Sequence, residues 1–100
     1  MARALSSTEV VQACARWCDV APREITAAGV LRKNAQRARR LACLVLRADG
    51  RSLAEIVSVL GFSARHQVTY HSDRATVEDR LDAETIASET LVQTRRTEAR

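Results

Sequence analysis

The sequence predicts an all-α fold, a compact bundle of five to six helices containing a helix-turn-helix, and three observations predict it. Apolar residues make up 46% of the 100 positions but aromatics only 3%, so the core must be aliphatic. Three glycines and one proline supply few of the turns that a hairpin-rich sheet needs. Twice, a Ser-x-x-Glu run stands just before an apolar stretch of helical period, which marks a helix start. A chain of this length supports one modest core, so residues 1–100 form a single domain, with its core at about 8–81 and a last helix at about 82–97.

Ser6-Ser7-Thr8-Glu9 is the first capping box, with Ser6 at the N-cap. Val10, Cys14, Trp17 and Cys18 then recur at helical spacing, giving a helix to about Cys18. Asp19-Val20-Ala21-Pro22 interrupts it, and Pro22 opens a short second helix through Arg23, Glu24 and Ile25. Thr26 to Asn34 contains Gly29 and is expected to be a loop. The third helix runs from about Asn34 to Ala48 on a stripe of Ala38, Leu41, Ala42, Leu44 and Val45, and Asp49-Gly50 ends it.

Ser52-Leu53-Ala54-Glu55 is the second capping box, opening a two-turn helix on Leu53, Ile56, Val57 and Leu60. Gly61 follows where a left-handed residue is wanted, Phe62 is an apolar plug, and Ser63 can cap the next helix. The pattern then resumes with Val68, His71, Ala75, Val77 and Leu81. A restart at Asp82-Ala83-Glu84-Thr85 gives a last helix carrying Ile86, Leu91 and Val92. Those three side chains either close the core or pair two copies, so a homodimer through the C-terminal helix is one candidate arrangement. A short capped helix, a glycine turn and a second helix together form a helix-turn-helix pattern.

The charge is unevenly placed. The net charge is +4, and the block from Arg32 to Arg51 holds Arg32, Lys33, Arg37, Arg39, Arg40, Arg47 and Arg51 against Asp49 alone. The segment from Asp73 to Val92 is acidic instead. One central cationic block suits a protein that grips phosphates, although a solvated basic face gives the same composition. In a helix-turn-helix the second helix enters the major groove by its N-terminal residues. Here those are Ser63, Ala64, Arg65, His66, Gln67 and Thr69: Arg pairs with guanine, Gln with adenine, and a Thr methyl touches thymine. Arg32, Lys33, Arg37, Arg39, Arg40 and Ser52 would hold flanking phosphates. His71 is expected to serve the core rather than DNA.

Other chemistries have no support in the sequence. The glycines at 29, 50 and 61 are isolated, with no phosphate-binding loop, so nucleotide is not an expected partner. No nucleophile motif frames the Ser, His and Asp residues, so no catalytic residue is named and an enzyme is not expected. Cys14 and Cys18 lie four apart and, with His66 or His71, form a conceivable metal pair. Buried core thiols are the simpler reading, so neither metal nor cofactor is expected. With no apolar run of membrane length, the expectation is a cytoplasmic protein, bacterial or phage- or plasmid-encoded, with no membrane partner.

Several runs resemble the DNA-binding C-terminal domain of the bacterial replication initiator DnaA. Val10 to Val20 is similar to that family's opening helix, and Ala21-Pro22-Arg23-Glu24-Ile25 to its small second helix. Ala38-Arg39-Arg40-Leu41-Ala42-Cys43-Leu44-Val45-Leu46-Arg47 resembles the family's Ala-Arg-Gln-Ile-Ala-Met-Tyr-Leu-Leu-Arg run. Ser52-Leu53-Ala54-Glu55-Ile56 resembles its Ser-Leu-Pro-Glu-Ile. The resemblance covers roughly Thr8 to Leu81. It implies a Trp-repressor-like helical fold, double-stranded DNA as partner and no cofactor, in replication control or transcription regulation. It also implies that Arg39 matches the family's basic-loop arginine, which enters the minor groove.

The family's Arg-Asp-His-Thr-Thr-Val run departs here to Ser63-Ala64-Arg65-His66-Gln67-Val68-Thr69. One register puts Arg65 on the family's His, and a slide of one residue puts His66 there. Either way the Asp is gone, so the family's own DNA box need not be the target. The family's ATPase domain is also absent, and the acidic C-terminal extension favours a stand-alone protein over an excised fragment. Loss of those readout residues motivates a second expectation, a protein-interaction module on the same fold that antagonises a replication or transcription protein.

Overall fold

A computed structural model describes residues 5–26 and 32–98, and shows an all-α bundle. Its helices are α1 (Ser7–Trp17), α2 (Pro22–Thr26), α3 (Lys33–Ala48), α4 (Leu53–Leu60), α5 (His66–Asp73) and α6 (Val77–Glu98). Residues 27–31 of the expected loop lie outside the described residues.

α3 is the central element and packs against each of the other five helices. The sequence explains why: Ala35, Ala38, Leu41, Ala42, Cys43, Val45 and Leu46 are all buried, a stripe wide enough to serve several neighbours at once. Val10, Cys14, Ile25, Ile56, Leu60, Val68 and Ile86 close on it from the surrounding helices. The Cα radius of gyration of 12.4 Å is that of a compactly packed chain of this length.

Local signals account for most helix ends. Ser6 Oγ accepts from Glu9 N at 3.4 Å. The Ser6 N–H goes to Thr94 Oγ1 at 3.2 Å, and that hydroxyl donates to Glu9 at 2.7 Å. A local cap thus becomes a tie between α1 and the far end of α6. The box at Ser52 is complete, with Glu55 N donating to Ser52 Oγ and Ser52 N to Glu55 Oε1. Gly61 ends α4 in the left-handed region, φ 69°. A Cβ at Gly61 would lie 2.9 Å from the carbonyl oxygen of Thr26, so the turn and the end of α2 can meet only through glycine.

The largest departure from expectation is the start of the last helix. The stripe was expected to run on through Val77 and Leu81 with a restart at Asp82, yet α6 begins at Val77. Thr76 and Asp79 form a reciprocal cap, with Asp79 N donating to Thr76 Oγ1 at 3.0 Å and Thr76 N to Asp79 Oδ2 at 3.1 Å. Val77 is consequently 75% exposed and Leu81 58% exposed, not core. Ile86 is fully buried and Leu91 packs on the core, which leaves Val92 as the exposed member of the three residues considered for pairing. Among the described residues no helix is long and apolar enough to cross a membrane.

Candidate nucleic-acid interface

The structure divides the expected phosphate-binding residues into an exposed group and a committed one. Arg32 is largely exposed and forms an ion pair with Glu24, Nη2 to Oε1 at 2.6 Å. An exposed pair of this kind is worth little and gives way readily to a phosphate. Lys33 is exposed at the first position of α3. That helix starts without a side-chain cap and without an acidic residue in its first turn. Cations at a helix N-terminus oppose its dipole, so the arrangement breaks a local rule at an exposed position.

Arg37 and Arg40 point the other way, toward the start of α6. Arg37 Nε lies 3.2 Å from Asp79 Oδ1 and its Nη2 donates to Asp82 Oδ2. Arg40 Nη1 lies 3.2 Å from Asp79 Oδ2. Asp79 is 3% exposed. Burial alone would raise its carboxyl, but the Thr76 N–H and the two guanidinium groups overcome this and hold it below the ordinary 3.8. Two of the expected phosphate contacts are thus neutralised within the fold.

Arg39 is the clearest departure. The resemblance assigns it to a minor groove, but the side chain turns inward and is 7% exposed. Its Nε donates to the Ile25 carbonyl at 2.7 Å and its guanidinium lies 4.9 Å from the centre of the Phe62 ring. Carbonyls in the last turn of a helix lack intrahelical partners, and Arg39 supplies one to α2. Phe62 stacks in turn on His71, with ring centres 5.5 Å apart and an angle of 12°. Arg39, Phe62, His71 and the Thr26–Gly61 contact form the joint that sets α4 and the following turn against α2 and α3.

His71 therefore belongs to the core side of α5, as expected. Its Nδ1 is buried without a hydrogen-bond partner. Desolvation, together with the charges of Arg39, Arg40 and Arg74, lowers its pKa from 6.5 to about 4. The native state thus holds the ring neutral where an unfolded chain would protonate it. The resulting contribution to stability is complete above pH 6.5 and is lost as pH falls toward 4. Urea midpoints measured across that range should drop for the wild type, and His71→Phe, which can keep the stack, should flatten that limb of the curve.

On the readout side, Gln67 is committed too. Its Oε1 accepts from Ser63 N at 2.8 Å, Ser63 Oγ at 3.2 Å and Ala64 N at 3.1 Å. The expected relation is inverted: Ser63 does not cap α5; the helix's own glutamine ties down the turn before it. Bidentate pairing with adenine needs the amide oxygen as well as the nitrogen, so Gln67 is a positioning residue here. Ser52 is likewise engaged as the α4 cap. Arg65, His66 and Thr69 are exposed, and among the described residues their side chains make no hydrogen bond or ion pair. Residues 66, 69, 70 and 73 form one outward stripe at helical spacing, opposite the buried Val68 and Ser72.

Sequence reasoning missed two residues of that face, Tyr70 and Arg74. Tyr70 is 52% exposed, and the Arg74 guanidinium sits 4.3 Å from its ring centre. The available signal was the i, i+4 spacing of an aromatic and an arginine on a helix whose inward positions were already filled.

The thiols lie within the core. Cys14, Cys18 and Cys43 are free and buried. Burial pushes the Cys14 thiol up and that of Cys43 up to about 12, well away from the thiolate that metals and electrophiles require. Among the described residues no three His, Cys, Asp or Glu side chains gather into a group able to hold a metal. Compared with protein-family models, curated proteins and solved structures, the chain matches none of them.

Proposed function

We propose that this chain is a non-catalytic double-stranded DNA-binding protein acting in replication control or transcription regulation, with α4 and α5 as its helix-turn-helix. The observation that carries the reading is the uncommitted outward face of α5, where Arg65, His66 and Thr69 stand directly after a turn fixed by Gly61, Phe62 and Gln67. The exposed cations Arg32 and Lys33 at the start of α3 supply phosphate contacts. The DnaA-like runs support the same partner.

Selection of bound duplexes from a random pool tests it. The wild type should enrich a site and bind it with a steep loss of affinity as salt rises. Arg65→Ala should lose discrimination by about tenfold while keeping most non-specific binding. Enrichment of nothing at physiological salt would overturn the reading.

One observation favours a second reading, a protein-interaction module without specific DNA binding. Five of the seven cations in the basic block, Arg32, Arg37, Arg39, Arg40 and Arg51, are paired with carboxylates or buried. Under that reading the same selection fails and a stoichiometric protein partner is captured instead.

A further inference from the structure

We infer that Tyr70, held by Arg74, is a specificity-determining residue of this protein, and that it reads a thymine through the base's C5-methyl group in the major groove. This rests on the DNA-binding reading above and names what its central face recognises.

The sequence placed readout at the first turn of α5, with Gln67 on adenine. The structure removes Gln67 from that role, since three donors occupy its carbonyl oxygen. The stripe that remains is His66, Thr69, Tyr70 and Asp73, and its one large apolar surface is the Tyr70 ring. An aromatic ring that is 52% exposed on a 100-residue protein serves no core contact that explains its size. It is also not free to swing. The Arg74 guanidinium lies 4.3 Å from the ring centre, and the His71 ring meets it edge-on with centres 5.4 Å apart. His71 is itself fixed on Phe62. Both contacts favour this orientation of the ring, which reduces the side-chain entropy lost on binding.

In the major groove only thymine among the four bases offers an apolar contact, its methyl group, and an aromatic or aliphatic surface is its match. Stacking beneath Arg74 adds a second consequence. That guanidinium is anchored by the ring it covers, so its donors are oriented toward the neighbouring phosphate when the ring meets the base. Asp73 sets the limit of this face, because its carboxylate repels backbone phosphates beyond the end of α5. Thymine contact is thus assigned to the middle of the helix, and phosphate contact to Arg74 beside it.

The test uses the full chain in duplex selection, comparing wild type, Tyr70→Ala and Tyr70→Phe, followed by binding to the selected site with one thymine at a time replaced by deoxyuridine. The substitution removes only the methyl group. Wild type and Tyr70→Phe should share a preference for thymine at one position and lose severalfold in affinity when that methyl is deleted. Tyr70→Ala should show neither the preference nor the loss, with a thermal unfolding curve like that of the wild type. If the wild type selects a site and Tyr70→Ala keeps the same thymine preference and the same deoxyuridine penalty, the inference is overturned while DNA binding stands. If the wild type selects no site at all, the DNA-binding reading fails and the inference falls with it.

Discussion

Asp79→Ala is expected to destabilise the fold by about 3–5 kcal/mol, the usual cost of removing one partner from a buried ion pair. The carboxylate is 3% exposed and serves three groups at once. It accepts from Arg37 and Arg40 on α3, and it caps the first turn of α6 through the Thr76 N–H. Alanine leaves Arg40 without its counter-charge and Arg37 with the part-exposed Asp82 alone, and returns an orphan N–H to the start of a 22-residue helix. Asp79→Asn should cost less, because an amide oxygen can still accept at the cap while the charge is lost. Asp82→Ala should cost only about 0.5–1 kcal/mol, as its pair with Arg37 is part-exposed. Urea unfolding of the three variants checks the order. A midpoint for Asp79→Ala within about 0.5 kcal/mol of the wild type would show that the ion pairs do not latch α6, since ordinary surface substitutions fall in that range.

This latch also shows where the sequence could and could not be read. Elements whose ends are set by neighbours in the chain were legible. The Ser52 box, the Gly61 cap, Pro22 at the head of α2 and the Asp49-Gly50 stop depend on contacts within a few residues, and each is found as expected. The start of α6 was misplaced although it carries the same kind of signal, Thr76-x-x-Asp79. Val77 and Leu81 continue the apolar period of the preceding residues, and that period masks the Thr76-x-x-Asp79 cap that starts the helix. Period alone cannot say which face is inward, and here the buried face of α6 is built partly from Asp79, Thr90 and Thr94. Polar residues buried through distant partners, such as Thr94 bonded to Glu9, leave no mark in local sequence. The candidate interface follows the same rule. Exposure of Arg65, His66 and Thr69 followed from helical spacing, whereas the fates of Arg37, Arg39 and Arg40 were decided by contacts with distant parts of the chain, and Gln67 is taken up by a local tie to Ser63 and Ala64 that helical period does not signal.

Arg39→Ala separates a structural from a DNA-contacting arginine more sharply than any other substitution in the basic block. A minor-groove arginine is exposed in the free protein, so its removal should leave stability intact, weaken duplex binding and reduce the salt slope by about one. The geometry of Arg39 predicts the reverse. Its hydrogen bond to Ile25 O is charge-assisted and buried, a class worth about 1.5–3 kcal/mol, and its position over Phe62 adds about 1–2 kcal/mol where solvent is excluded. Truncation also opens a void between α2, α3 and the turn at Phe62, so the expected loss is at least about 3 kcal/mol. For a domain of this size that lowers the thermal midpoint by more than about 10 °C. Arg39→Lys should recover little, because an ammonium carries no planar group to lie over the ring and keep the Nε contact. Arg39→Met should recover volume without the hydrogen bond, falling between Arg39→Ala and the wild type. Thermal unfolding of the three variants, with duplex binding measured below their midpoints, decides the matter. Wild-type stability in Arg39→Ala would overturn the structural role.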